Sequence, residues 1–235
     1  MELTWRNELK YFISDKDILL LKHKLSQLLK LDPNSNGSSY LVRSLYFDDP
    51  IKSGISNKLD GDLNRARYRI RSYGENKIKL ELKIRKNQSV SKLSSWINKS
   101  DYNFLTKPNT APYINLARYD NVIQDFLINK KNHVLRPSII VEYDRVAYTV
   151  PGTDVRITLD LNVRTYKSCT NLINPEIEPV PVFLYPRLQV LEVKFSTKIP
   201  RYVTKIIESF NPNRYAISKY ALCSRYIRNN SWEDN

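Results

Sequence analysis

Cysteine is nearly missing from this chain of 235 residues: only Cys169 and Cys223 occur, which excludes a disulfide framework and a cysteine-rich metal site. Histidine is equally scarce. His23 falls on a predicted surface helix and His133 in a polar loop, so both read as solvated and no Ser-His-Asp or Cys-His constellation is evident. No apolar run is long enough to span a bilayer, and the opening "MELTWRNELKYFI" carries charges where a secretory signal has an apolar centre. These absences predict a soluble, cytoplasmic protein, peripheral at the inner face of a membrane only through a partner.

What the sequence does have is positive charge. Lys and Arg number 38 against 24 Asp and Glu, a net charge of +14, so an anionic partner is expected: nucleic acid, a membrane surface or a phosphate compound. A hydrophobic fraction of 41% is that of a folded chain. No internal repeat, low-complexity tract or linker divides it, although "TNLINPEIEPVPVFLYP" (170–186) forms a proline-rich loop, and residues 1–235 read as a single domain.

Two kinds of segment alternate along it. Seven stretches rich in Val, Ile, Tyr and Leu have the period of strands: 7–13, 40–48, 65–73, 77–85, 138–150, 155–166 and 188–196. Helical periodicity is predicted over 14–33, 119–130, 200–210 and 217–230. The first of these has Ser14 or Asp15 as a cap, apolar residues at Ile18, Leu21, Leu25 and Leu28, and a stop at Pro33. The fold class expected is mainly β (α+β), an antiparallel sheet with helices around it.

Alternate side chains of a strand share a face. In "NRARYRIRSYG" (64–74) that rule puts Arg67, Arg69 and Arg71 on one face and Tyr68 and Ile70 on the other. Five further strands segregate the same way, placing Glu8 and Lys10; Lys79, Glu81 and Lys83; Tyr143 and Arg145; Arg156, Thr158 and Asp160; and Glu192 and Lys194 on their polar faces. A sandwich with solvated faces explains any one strand. Six together, with helices whose apolar stripes need an apolar sheet face to cover, favour a closed barrel with a charged lumen. The shared face then carries nine cations (Lys10, Arg67, Arg69, Arg71, Lys79, Lys83, Arg145, Arg156, Lys194) against four carboxylates (Glu8, Glu81, Asp160, Glu192). Such an excess cannot be neutralised in pairs, and uncompensated buried charge is costly. A polyanion is the expected filling. Arginine forks and lysine ammonium groups grip phosphate oxygens, and the carboxylates suit a hard divalent cation.

In order along the chain, "NELKY", "SLYFD", "KLDG...R.R.RIRSYG", "KLELK", "RPSIIVEYDRVAY", "VRITLD", "LEVKF....P" and "SKY" resemble the VTC domain family of the triphosphate tunnel metalloenzyme (CYTH-like) superfamily, over nearly the whole sequence. The resemblance implies a closed antiparallel eight-stranded tunnel barrel. It also implies a polyphosphate polymerase-like activity that moves the terminal phosphoryl group of ATP onto polyphosphate with Mn2+ or Mg2+. Carried over, Lys10, Lys58, Arg69, Arg71, Lys83, Arg145, Arg156 and Lys219 fall on phosphate-contacting, catalytic positions. Lys92, Lys194, Tyr143 and Ser218 join the phosphate-binding set, with Arg67 and Arg214 as further candidates, and Glu192 takes the metal-ligand position with Glu8 and Glu81 as additional carboxylates. Arg67 is expected either to steer anions at the tunnel mouth or to pair with a carboxylate. The last helix is expected to lie close to the tunnel end, because Ser218 and Lys219 must reach the lumen.

Two departures from the family pattern bear on activity. The CYTH branch opens with Glu-x-Glu-x-Lys, whereas this frame reads Arg6-Asn7-Glu8-Leu9-Lys10, which argues against a two-metal hydrolytic site. The yeast-type pattern has a lysine where this chain has Ala216, and Arg214 is the nearest charge that could replace it. The sequence has no counterpart of the inositol-phosphate sensor domain or membrane helices of eukaryotic members, so threading a polymer across a bilayer would need a separate membrane protein. Alternatives to the polymerase are a metal-dependent tripolyphosphatase or triphosphatase in the same tunnel and a non-catalytic polyphosphate-binding module. A nucleic-acid-binding module comes last, because the 16 tyrosines are scattered, several of them on the apolar parity.

Overall fold

The computed structural model describes residues 3–35, 39–54, 64–73, 77–108, 116–167, 171–182 and 188–230. Eight long strands carry the fold: β1 (Arg6–Ser14), β3 (Tyr40–Asp48), β4 (Arg65–Ser72), β5 (Ile78–Lys86), β6 (Ser89–Ile97), β7 (Arg136–Thr149), β8 (Arg156–Thr165) and β10 (Leu188–Phe195). They pair antiparallel in the order β7-β3-β4-β5-β6-β1-β10-β8, and β8 pairs back onto β7, so the sheet closes into the expected eight-stranded barrel. Short strands β2 (Lys30–Leu31) and β9 (Val180–Pro181) extend it beside β7 and β8.

The apolar parity faces outward and is covered by helices. Ile70, Leu80 and Leu82 pack in one cluster with Tyr102 and Leu105 of α2 (Lys99–Thr106) and Ile123 and Phe126 of α3 (Asn121–Asn132). On the opposite wall, Ile157, Leu159, Leu191 and Val193 pack with Leu21 and Leu25 of α1 (Asp15–Leu28) and Val203 and Ile207 of α4 (Arg201–Glu208). Burying a side chain of this size stabilises the fold by about 1.5–3 kcal/mol, so these two layers dominate the stability. Side-chain caps start three of the helices: Ser14 accepts from the Asp17 amide, Asn98 from that of Asp101, and Asp120 from those of Val122 and Ile123.

The structure departs from the sequence reading in four places. The helix predicted to reach Pro33 stops at Leu28, because Leu29 is extended and Lys30 and Leu31 pair with Thr149 and Tyr148 of β7. Leu29 is therefore buried and Leu28, placed on the apolar stripe by its spacing, is 55% exposed. Strand β6 and helix α2 lie where neither was predicted. In β8, Asn162 takes a positive φ of 52° as the β7–β8 register shifts, and the inward parity changes after it. Val163 then joins the interior cluster, while Arg164 turns out to Glu142 and Asp144.

The last helix, α5 (Lys219–Asn230), closes one end of the barrel. Its Tyr220 and Cys223 pack with Val42, Ile139, Val141, Tyr143 and Val163, which share the lumen parity. The hydroxyl of Tyr220 donates to the Asp48 carboxylate at that end. Just before α5 the chain runs beside β1: the Tyr215 amide donates to the Lys10 carbonyl, and Arg214 bridges Tyr11. This segment lies along a sparse seam, since β1 and β6 share only the pairs Arg6–Val90 and Asn7–Ser89.

Candidate functional site

Barrel closure turns the alternating charges of the sequence into rings around one lumen. The open end is a cavity of about 1030 Å³ lined by ten cations (Arg6, Arg69, Arg71, Lys77, Lys79, Lys83, Lys92, Arg145, Arg156, Lys194) and one carboxylate, Glu8. A smaller compartment of about 130 Å³ continues from it past Lys10, Glu192 and Lys219 to Arg65, Arg67 and Arg85. Volume of this order suits one small ligand in an eight-stranded barrel, and the sign of the lining selects an anion.

The carboxylates act as internal counter-ions, each shared by several cations. Glu81, fully buried, holds Arg69 and Lys92 at 2.7 Å each and Arg71 at 3.9 Å. Burial would raise its carboxyl, yet Arg69, Arg71 and Lys92 hold it well below the usual range. Asp160 takes both arms of Arg145, at 2.6 and 2.8 Å, and Lys219 at 2.5 Å. Burial opposes its ionisation too, but those two cations bring it to about 2. Glu8 lies 3.1 Å from Lys10 and 3.0 Å from Lys83, and Glu192 lies 3.0 Å from Lys194 and 4.0 Å from Lys219. Glu8 and Glu192 are electrostatic neighbours: burial and Glu192 push the Glu8 carboxyl up, and Lys10 and Lys83 bring it below its ordinary value.

The remaining hydrogen bonds aim the cations inward. Arg69 donates to the Tyr46 hydroxyl, and Arg71 donates to Ser44, Tyr73 and Tyr143. Arg156 is held by Asp32 and the Tyr40 hydroxyl. Three buried lumen atoms have no hydrogen-bond partner among the described residues: Arg67 Nε, Arg156 Nε and Thr158 Oγ1. Buried polar atoms left in this state are ones a bound ligand would satisfy.

The VTC domain family matches residues 5–227. The chain belongs to the VTC domain family. No curated protein shows significant sequence similarity to it. Among solved structures, a candidate adenylate cyclase from Bacillus halodurans superposes with a TM-score of 0.55 at 15% identity, covering 93% of this chain and 96% of that one. A second candidate adenylate cyclase, from Vibrio parahaemolyticus, gives 0.53 at 14% identity over 95% and 99%. PH1819 from Pyrococcus horikoshii gives 0.50 at 14% over 94% and 99%. At these identities the likeness is one of fold. Family and fold together suggest that this VTC domain is a triphosphate-binding tunnel protein of the enzyme type.

The VTC domain brings most of the residues singled out in the sequence to one lumen: Lys10, Arg69, Arg71, Lys83, Lys92, Tyr143, Arg145, Arg156, Lys194 and Lys219, with Glu8, Glu81 and Glu192, line its two compartments or the ion pairs between them. Ser218 lines the inner compartment and caps α5 by accepting from the Ala221 amide. Arg67 donates to the Gly54 carbonyl and lies 4.5 Å from the Tyr220 ring centroid, at the closed end rather than in a carboxylate pair. Arg214 is exposed beside Tyr11, which has the outward parity. Lys58 lies outside the described residues. Four contributors were not singled out: Tyr40, Ser44, Tyr46 and Tyr73. Their neutral hydroxyls produce no charge segregation along a strand; only the parity shared by Tyr40, Val42, Ser44 and Tyr46 in β3, and the step from Arg71 to Tyr73 at the end of β4, could have exposed them.

The donor set fits a hard divalent cation. Glu8 and Glu192 offer oxygens beside each other, and Thr158, paired in register with Glu192, adds an unpartnered hydroxyl. Among the described residues no group of three or more His, Cys, Asp or Glu is arranged around a metal position. A cation here would draw the rest of its shell from phosphate oxygens, as Mg2+ does. Glu81, two strands from β1 and occupied by Arg69 and Lys92, stands apart from that pair.

One titration follows from the geometry. Burial pushes the Lys83 ammonium down to about 7, with Glu8 opposing and Lys10 and Lys194 adding to the effect. Because the folded value lies below the ordinary one, this group's cost to the fold is full below about pH 7 and is relieved as pH rises. A polyanion reverses the shift. Tripolyphosphate binding is expected to weaken from about pH 6 to 8 and to take up a proton near pH 7.5, read by calorimetry in buffers of different ionisation enthalpy; Lys83→Met removes the uptake. Equal heats in all buffers for the unmodified protein would contradict the assignment.

Proposed function

We propose that this VTC domain is a polyphosphate polymerase-like phosphotransferase that moves the terminal phosphoryl group of ATP onto a polyphosphate chain inside the tunnel. The observation that carries this reading is the lumen itself: ten cations and one carboxylate around an open cavity, continuous with a second compartment that ends at Arg65, Arg67 and Arg85. Phosphoryl transfer asks little covalent help of a protein. It needs an aligned acceptor and fixed positive charge where negative charge develops.

This chain's residues supply those needs. Arg69, Arg71, Arg145 and Arg156, each anchored by hydrogen bonds or ion pairs, hold non-bridging phosphate oxygens in a set geometry. Lys10, Lys83, Lys194 and Lys219 surround the carboxylate pair and neutralise charge on the transferring group. Glu192, with Glu8, would hold Mn2+ or Mg2+, which when bound supplies Lewis-acid neutralisation of the phosphates. The deeper compartment, about 130 Å³, leaves little room for water beside a bound phosphate chain, which favours transfer to a phosphate acceptor over hydrolysis.

A second reading is favoured by one feature. Helix α5 fills one end of the barrel, and a tunnel so narrowed suits a short triphosphate, hydrolysed in place, better than a threaded polymer. Incubation of the protein with ATP and Mn2+ or Mg2+ separates the two. A phosphate ladder on a gel is the expected result; free phosphate alone would replace the polymerase by a triphosphatase, and neither product would leave a binding module. If a polymer crosses a bilayer, a separate membrane protein is the proposed partner, since no helix among the described residues is long and apolar enough to cross one.

A further inference from the structure

The lining of the open cavity changes character at its rim. Deep in the lumen it is charged, but at the end where β4 leaves the barrel and β5 enters it, aromatic and apolar side chains appear: Tyr40, Leu41, Tyr73 and Trp96. Trp96 stands out among them. It has the lumen parity of β6, paired in register with Lys79, yet it is 60% exposed. The Lys79 ammonium sits 3.9 Å from its ring centroid, close enough to fix the ring by cation–π attraction. Lys77 lines the same rim.

A ligand made only of phosphate has no use for such a collar, since indole offers it neither charge nor donors along its face. A ligand with a polyanionic head and a flat organic tail uses both zones at once. We infer that Trp96 is a stacking platform for the base of a nucleoside triphosphate, the triphosphate running inward to Arg69, Arg71 and Arg156 while the base lies on the indole at the rim. The inference rests on the phosphate-binding reading of the tunnel and adds the place where the donor's base is held, with a preference for a purine, whose larger ring system stacks better than a pyrimidine. Lys79 holds the indole in place and faces the ligand's negative charge. Trp96 is a binding residue for the donor and takes no part in acceptor binding, because a polyphosphate end has nothing to stack.

The test compares ATP with inorganic tripolyphosphate on the full chain. Trp96→Ala is expected to weaken ATP binding about tenfold or more, the usual scale for losing a base–aromatic stack, and to leave tripolyphosphate affinity within about twofold. With Trp5→Phe and Trp232→Phe in place, the remaining Trp96 fluorescence is expected to be quenched by ATP, less by CTP, and hardly at all by tripolyphosphate. Equal losses for both ligands, or none for either, would overturn the inference while leaving the tunnel reading intact. Failure of the unmodified protein to bind either ligand would overturn both.

Discussion

Glu192→Gln is expected to lower metal-dependent turnover by more than about a hundredfold, the scale of a few kcal/mol of lost Lewis-acid stabilisation. Glu192 is buried on β10, paired in register with Lys10 of β1 and flanked by Lys194 and Lys219. Burial would raise its carboxyl, and Lys194 and Lys10 outweigh burial to hold it well below the ordinary range, which favours the carboxylate form that a cation needs. The glutamine keeps the shape but loses the charge that a divalent cation needs. Because the substitution removes an acid and no base, tripolyphosphate binding without metal should persist or tighten. Steady-state rates over a range of Mn2+ and Mg2+ concentrations, set beside metal-free binding, check both halves; unchanged turnover would remove Glu192 from metal binding.

Glu81→Gln is expected to act on the fold instead. Glu81 is the common counter-ion of Arg69, Arg71 and Lys92, and removing one partner from a buried ionic group costs about 3–5 kcal/mol. Its folded-state pKa is depressed, so its stabilisation is present above the ordinary glutamate value and lost as pH falls below it. The variant should therefore show both a lower urea midpoint at neutral pH and a flatter acid-unfolding profile. A polyanion replaces the missing charge: tripolyphosphate at 100 times its dissociation constant adds about 2.7 kcal/mol by mass action and is expected to bind the variant more tightly than the unmodified protein. If stability were unchanged while anion affinity fell, Glu81 would be a positioning group for Arg69 rather than a counter-ion.

Much of the barrel was legible in the sequence because two periods coincide with two solvents. In β4, Arg67, Arg69 and Arg71 alternate with Tyr68 and Ile70, and the structure puts the first set inward and Tyr68 and Ile70 in the outer core. In α1, Ile18, Leu21 and Leu25 mark the covering face. Strand β6 was not legible because serines occupy both its faces: Ser91 and Ser95 are buried outside while Ser94 shares the inner parity with Lys92, so apolar and polar residues do not alternate. Helix α2, at eight residues, buries only Tyr102 and Leu105 and gives too short a period to read. The parity switch at Asn162 depends on a single positive φ, which a polar residue in a strand does not announce.

The site divides along the same line. Charged positions such as Arg145 and Asp160 are visible because buried charge without a partner is so unfavourable that its pattern must serve something. The hydroxyls of Ser44, Tyr46 and Tyr73 are not, since their value comes only from the arginine placed beside them by closure. The last helix was expected close to the tunnel end, but its filling of that end was beyond the sequence: Tyr220 and Cys223 look like any helical core pair until the cluster they join proves to be on the lumen side.

The most direct test of the tunnel as a polyanion site is a calorimetric titration of inorganic tripolyphosphate into the unmodified protein and into Arg69→Ala and Arg71→Ala. One ligand per chain is expected, with each substitution weakening it by about 1.5–3 kcal/mol for a lost charged hydrogen bond. Binding at several sites, indifferent to both substitutions, would show that the net charge of +14 attracts phosphate to the outer surface and that the lumen does not hold it.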